Sequence, residues 1–282
     1  AMQQEEVPED LPLLSFRNTV LFPGVVIPIT VGRDRSIRLV KEAHKNDQRI
    51  GVVSQKNDDI EVPNGTDLNE VGTVAKVIKM LRMPDGSNTV ILQGQKRFKW
   101  TEVVQEEPYM KARVVEYDAE NLPPKDDEHK ALMESLKELA IEIIQLSPNI
   151  PSEAGFAIKS IESLTFLVNF IGSNMNAPVE EKQTLLEVAG IKARARKVLE
   201  LLNKEKQMLS LKRDLQTKVK GELDQQQREY YLNQQLKQIQ EELGNNPQAQ
   251  EVAERKLKAE SMEWPAHAKE AFSREIIKLE RM

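Results

Sequence analysis

The chain contains no cysteine. That excludes disulfides, cysteine-ligated zinc, iron–sulfur clusters and cysteine nucleophiles, and it fits a reducing compartment, so a cytoplasmic location is expected. Histidine is nearly as scarce. His44, His129 and His267 fall in different expected elements, and no two have metal-ligand spacing. No Gly-x-x-x-x-Gly-Lys-Ser/Thr phosphate cradle and no Gly-x-Ser-x-Gly elbow occurs. Aromatic residues make up only 5% of the chain, and no run approaches the ~18 consecutive apolar residues of a membrane span. No secretory-signal pattern opens the sequence, so no membrane partner is expected. Carboxylates are abundant but sit in charged helical runs, where no two stand out as an acid–base pair. The expectation is therefore no catalytic residue, no metal ligand and no cofactor-binding residue in this chain.

What is present is a long helical stretch. Residues 191–244 hold no proline and one internal glycine, Gly221, among Leu, Lys, Glu, Gln and Arg. As one helix this would be roughly 75–80 Å long, well beyond the ~8–20 residues of ordinary globular helices. Leu201, Met208, Leu211 and Leu215 follow coiled-coil-like spacings, and so do Leu232, Leu236, Ile239 and Leu243. Val219 and Leu223 continue between them at four-residue steps, a stutter-like slip, and 216–229 is too polar to bury much. Leu232, Leu236, Ile239 and Leu243 are the candidate helix-pairing residues. They pair either with a second copy or with the chain's own final helix through Phe272 and Ile276. Charge splits along the same stretch. Residues 191–220 carry ten Lys/Arg against three Asp/Glu, a net of +7, and 221–263 carry five against nine, a net of −4. Antiparallel neighbours would match these halves, but a solvated helix surface is the favoured reading, because exposed pairs contribute little individually.

The 282 residues suffice for roughly two domains, with 39% hydrophobic and 30% charged content. From Leu11 to Tyr117 the pattern is β-rich, with one helix expected around Ile37, Val40, Ala43 and His44, capped by Asp34 or Ser36. Val74 to Met83 and Thr89 to Leu92 flank Pro84-Asp85-Gly86-Ser87-Asn88, a hairpin signal. Asn121-Leu122-Pro123-Pro124-Lys125 is a linker signal. Beyond it come helical patterns over 129–146, 154–171 and 179–188, then the long stretch, a stop at Gly244-Asn245-Asn246-Pro247, a charged run to Lys258, and a final helix over 266–282. The expected fold is α+β: a β-rich N-terminal domain (1–120), an all-α bundle (121–190), one very long helix (191–244) and a C-terminal helical segment (245–282).

Two motifs invite a functional reading. Gln93-Gly94-Gln95-Lys96-Arg97-Phe98-Lys99-Trp100 interleaves basic and aromatic residues, as some nucleic-acid surfaces do, or is a half-buried strand with Phe98 and Trp100 inward. Leu21-Phe22-Pro23-Gly24 puts a large aromatic and a proline at a turn. Phe22 is either a core plug or part of an exposed apolar patch that grips a partner.

Together these residues resemble the N-terminal region of the ATP-dependent Lon protease family, its bacterial branch in particular. The resemblance rests on Arg17-Asn18-Thr19-Val20-Leu21-Phe22-Pro23-Gly24, Gly72-Thr73-Val74-Ala75, Gly94-Gln95-Lys96-Arg97-Phe98 and the run from Arg228-Glu229-Tyr230-Tyr231-Leu232 to Leu243-Gly244. It implies a PUA-like β-domain, a helical subdomain and a long helix leading to an ATPase ring. The family's AAA+ motifs, its Ser–Lys dyad, and hence its ATP and Mg2+, have no counterpart in these residues. The implied role is recognition of unfolded or damaged protein substrates, with support for hexamer assembly alongside other protomers. Leu21, Phe22 and Pro23 are the candidate substrate contacts. The alternatives are a nucleic-acid-binding PUA-like module, with weak DNA binding, or a purely structural spacer; the net charge of −5 weighs against the former.

Overall fold

The computed structural model describes residues 7–83, 88–117, 126–148, 150–151, 153–242, 247–262 and 264–280. The turn residues Pro84 to Ser87, the linker Asn121 to Lys125, and Leu243 to Asn246 lie outside the described residues. Contacts divide the chain into two compact units, 1–211 and 212–282. The composition breaks near 120, 190 and 244 do not coincide with that division.

In the first unit six strands form one sheet: β1 (Asp10–Phe16), β2 (Val26–Val31), β3 (Ile50–Ser54), β4 (Val71–Arg82), β5 (Asn88–Gln105) and β6 (Lys111–Glu116), with helix α1 (Asp34–Lys45) between β2 and β3. The order is β2-β5-β4-β3-β1-β6, and β6 also pairs with β5. β5 is long enough to serve twice: its first half lies between β2 and β4, and its second half joins β6. Five strands thereby close into a small barrel, which leaves few open edges. β2 is added outside the closure. β1 and β3 run parallel, which needs a crossover, and α1 lies in that connection. Arg33 takes the N-cap position of α1 without a side-chain bond, so neither Asp34 nor Ser36 caps it as expected; both fall inside the first turn.

Alternation explains the two β-cores. Leu14 and Phe16 join Ile50, Val52, Val90, Leu92 and the inner face of α1. Leu11 and Leu13 turn the other way, toward Val53, Val74, Phe98, Ala112 and Val114.

The helical part of the first unit is α2 (Asp127–Leu146), α3 (Ala154–Ser160), α4 (Leu164–Asn174), α5 (Val179–Glu187) and the start of α6 (Ile191–Glu242). The apolar run expected as one helix over 154–171 is two. The chain breaks at Ile161–Ser163, and Ser163 caps α4 by accepting from the Phe166 N–H at 3.3 Å. Leu136, Leu164, Leu167, Leu185, Ala195 and Val198 form a core that also takes in Val20, Phe22, Val25 and Val71 from the β-rich part.

The second unit holds the rest of α6, then α7 (Pro247–Glu260) and α8 (Ala266–Glu280). The charged run to Lys258 is thus a helix, which its Ala, Glu, Lys and Gln content favours. α6 is continuous through Gly221, whose α-carbon has open space around it. Trp264 and Phe272 meet as a tilted ring pair with centroids 5.2 Å apart, and Ile276 is buried.

Candidate functional site

The turn after β1 is placed by packing and by backbone bonds. The Gly24 N–H donates to Gly94 O and the Gly94 N–H to Val25 O, both at 2.9 Å. A Cβ on Gly94 would sit 2.3 Å from Phe22 O, so the Gly94-Gln95 step of the motif is glycine because another backbone occupies that space. Gly24 has φ +79°, the left-handed region that glycine reaches without cost. Thr73 Oγ1 donates to Leu21 O at 2.6 Å, and Asn169 Nδ2 donates to Pro23 O at 3.1 Å. The turn is held between sheet and α4.

This placement corrects the expectation for two of three candidate substrate contacts. Leu21 is 2% exposed and Phe22 0% exposed. Phe22 is the core plug, with Gly172 of α4 leaving room for its ring: a Cβ there would lie 3.3 Å from the ring edge. Only Pro23 reaches the surface, half-buried. Beside the turn stands Phe166, 37% exposed, with its Cδ2 3.0 Å from where a Gly24 Cβ would be. Phe166 pairs with half-buried Phe170 at 5.9 Å between centroids. Val26, two residues past Gly24, is also exposed, and Phe156 on α3 is 72% exposed. Sequence reading missed these residues. The available signal was that Phe166 and Phe170 share an i,i+4 face off the stripe of Leu164, Leu167, Val168 and Ile171.

A polar seam joins the barrel to the helices. Gln183, buried on α5, accepts from Ser54 Oγ at 2.7 Å and donates to Val71 O at 3.0 Å and to Glu187 Oε1 at 2.7 Å. Arg97 Nη1 donates to Leu186 O at 2.8 Å and to Val188 O at 3.0 Å, so a buried guanidinium serves the C-terminal carbonyls of α5. Arg97 also lies over Tyr117, whose hydroxyl donates to Glu187 O at 2.7 Å. The basic–aromatic run is therefore a half-buried strand. Phe98 is fully buried, and half-buried Trp100 donates its Nε1 proton to Asn69 O at 2.8 Å.

Where α2 meets α6, Lys192 Nζ donates to Asp126 at 2.5 Å and to Glu128 at 2.8 Å, and Arg196 also reaches Glu128. The hydrogen bond from Lys192 holds both carboxyls below their usual range. Lys182 and Glu205 are both pushed toward their neutral forms. Burial lowers the Lys182 ammonium and raises the Glu205 carboxyl.

Of the candidate pairing residues, Leu232, Leu236 and Ile239 are all more than half exposed, and Leu243 lies outside the described residues. The expectation that they pack on the chain's own Phe272 and Ile276 is not met, because a packed seam would be covered. Among the described residues no group of His, Asp and Glu is arranged to hold a metal ion, and no helix is long and apolar enough to cross a membrane.

Similarities to other proteins fall on this same architecture. The chain is 53% identical over its whole length to the Lon protease of Flavobacterium johnsoniae and 47% identical to that of Cytophaga hutchinsonii. It spans 34% and 35% of the length of those relatives. Its fold matches the N-terminal domain of the Mycobacterium avium complex Lon protease, with a TM-score of 0.57 at 19% identity, over 69% of this chain and 98% of that one. Residues 10–204, which take in the barrel, the turn, the polar seam and the bundle, match the family described as the substrate-binding domain of ATP-dependent protease La (LON). The chain belongs to the Lon substrate-binding domain family.

Proposed function

We propose that this chain is the part of a cytoplasmic, ATP-dependent serine protease that engages exposed hydrophobic segments of unfolded or damaged proteins, and that it has no catalytic residue of its own. The observation that carries this reading is the apolar surface at Pro23, Val26, Phe166 and Phe170. It is built on a rigid support: Phe22 anchors the turn from beneath, and Asn169 ties down the Pro23 carbonyl. A substrate class without a common sequence must be read by general chemistry, and exposed aromatic surface is suited to that. Several copies in an assembly would add avidity to individually weak contacts. The exposed seam of Leu232, Leu236 and Ile239 supports pairing between protomers of such an assembly, a hexamer in the family reading.

The test is binding of a reduced and alkylated, permanently unfolded protein to the chain and to Phe166→Ser. A folded variant that binds about five- to tenfold more weakly, the cost of losing one half-exposed aromatic contact, supports the reading. Unchanged affinity overturns it.

A further inference from the structure

A cleft of about 540 Å³ opens between the end of β1 and the end of β2, bordered by residues 14–19 on one side and 28–33 on the other. That volume lies within the ~300–1,000 Å³ of pockets that hold a compact ligand. Its lining contains two charged side chains, Arg17 and Arg33, and no carboxylate.

Arg33 is held by neutral acceptors. Its guanidinium donates to Ser15 Oγ at 3.1 Å, Gln55 Oε1 at 2.9 Å and Ile60 O at 3.4 Å. These bonds fix its position without neutralising it. Arg17 stands exposed at the same cleft; burial and then the like charge of Arg17 lower the Arg33 pKa against the pull of Glu61, which lines the adjoining cleft together with Asp34, Glu106 and the same two arginines. Two arginines lining one carboxylate-free cavity favour an anionic occupant, and the forked donors of exposed Arg17 suit a planar carboxylate.

The backbone beside them is open. The Gly94 N–H bonds Val25 O, so by alternation Ile27, Ile29 and Val31 face β5, while Val26, Pro28 and Thr30 turn their polar groups away. Pro28, which has no N–H, is tolerated on that outer edge. On β1, Gln55 N–H bonds Phe16 O and Leu13 N–H bonds Met110 O, so Ser15 turns its edge away from β3. β6 pairs with β1 only along Asp10, Leu11 and Pro12, so Ser15, paired with Val53 of β3, has a free second edge on the Met110 side, toward the adjoining cleft. Apolar Phe16, Ile29 and Val31 complete the lining.

We propose that this cleft receives the C-terminal end of an extended polypeptide, its terminal carboxylate held by Arg17 beside Arg33 and its main chain lying along the open outer edge of β2. Capture of a chain terminus by donors next to an open strand is a mode that ignores most side-chain identity. The proposal rests on the substrate-binding reading above and adds to it which feature of the substrate is recognised. A nucleic acid is the poorer occupant, because two cations in an apolar-floored cleft do not track a row of phosphates.

The test is fluorescence anisotropy with a labelled, unstructured apolar peptide carrying either a free C-terminal carboxylate or a C-terminal amide. Both are titrated against the full 282-residue chain and against Arg17→Gln, with circular dichroism to confirm folding. Arg17 makes no hydrogen bond or ion pair among the described residues, so its loss leaves the packing intact. The expected result is about tenfold weaker binding of the amide, the loss of one charge-assisted contact. Arg17→Gln weakens the carboxylate peptide to the same level and leaves the amide unchanged. Equal binding of the two peptides, or an equal effect of Arg17→Gln on both, overturns the proposal. So does binding of either peptide too weak to measure, or displacement by a short oligonucleotide with no preference for the carboxylate. An unfolded protein titrated in parallel separates the two levels. If it binds while the peptides show no terminal preference, only the cleft proposal fails; if it does not bind, the substrate-binding reading fails as well.

Discussion

Gly94 and Phe22 show how little latitude the barrel–bundle junction has. A methyl group on Gly94 would press at 2.3 Å on Phe22 O, a backbone atom that cannot swing aside. Gly94→Ala is expected to destabilise the fold by at least ~2 kcal/mol, as overpacking does, read as a lower urea midpoint at unchanged m-value. Phe22 fills a fully buried site in the core shared with α4, so Phe22→Ala is expected to cost ~3–5 kcal/mol. Phe166→Ser should cost less, about 1–2 kcal/mol, since its ring is 37% exposed and only its buried part loses contacts. The three phenylalanines Phe22, Phe98 and Phe166 carry no sign in their own identity of which one faces water. Alternation along β5 supports an inward Phe98. For Phe22 the plug and patch readings are equally compatible with a Phe-Pro-Gly turn, and only the arrival of α4 above it settles the matter.

Among the elements, α5 depends most on groups from elsewhere in the chain. Its last carbonyls are met by Arg97 from β5, and its buried face carries Gln183 bonded to β3 and β4 groups. Arg97→Ala is expected to lower stability by ~1.5–3 kcal/mol per charged hydrogen bond lost, measured by chemical denaturation. The contact between α2 and α6 gives a pH dependence whose sign can be worked out. Lys192 holds Asp126 and Glu128 below their unfolded values, so the stability they contribute is present above the ordinary carboxylate range and is lost as pH falls through their lowered values. Glu205 is raised by burial, so its contribution has the opposite sense, present at low pH and lost as pH rises through its raised value. Lys192→Gln should flatten the acid limb of a plot of thermal midpoint against pH; an unchanged limb would remove these pairs from the account. Helix existence and type were legible from periodicity for α2, α5 and α6. The break between α3 and α4 was not, because an apolar run reads the same whether it is one buried helix or two, and Ser163 acts as a cap only because the chain leaves the helix at Ile161–Ser163.

On the scale of the whole molecule, the two units differ in how their helices are stabilised. Residues 191–202 of α6 alternate between core and surface, whereas 211–239 are exposed throughout. A helix without tertiary cover rests on propensity alone, which is marginal. Amide hydrogen exchange is therefore expected to step up sharply beyond residue 211, with 195–202 the best protected part of α6; uniform protection along the helix would mean that the exposed seam is covered in solution. Light scattering on the chain and on Leu236→Glu checks what covers it. A dimer that the substitution dissolves is the expected outcome if a second copy does so. The sequence by itself determined the class of the fold, the long helix, the absence of cysteine chemistry and the family resemblance, because composition, periodicity and short motifs are local properties of the chain. The tertiary structure alone decided that the β-rich and helical parts share one core, that Phe22 is buried while Phe166 is not, and that Arg17 and Arg33 meet at one cleft. Burial and charge proximity are set by residues distant in sequence, and no local pattern encodes which of several equally apolar faces another element will cover.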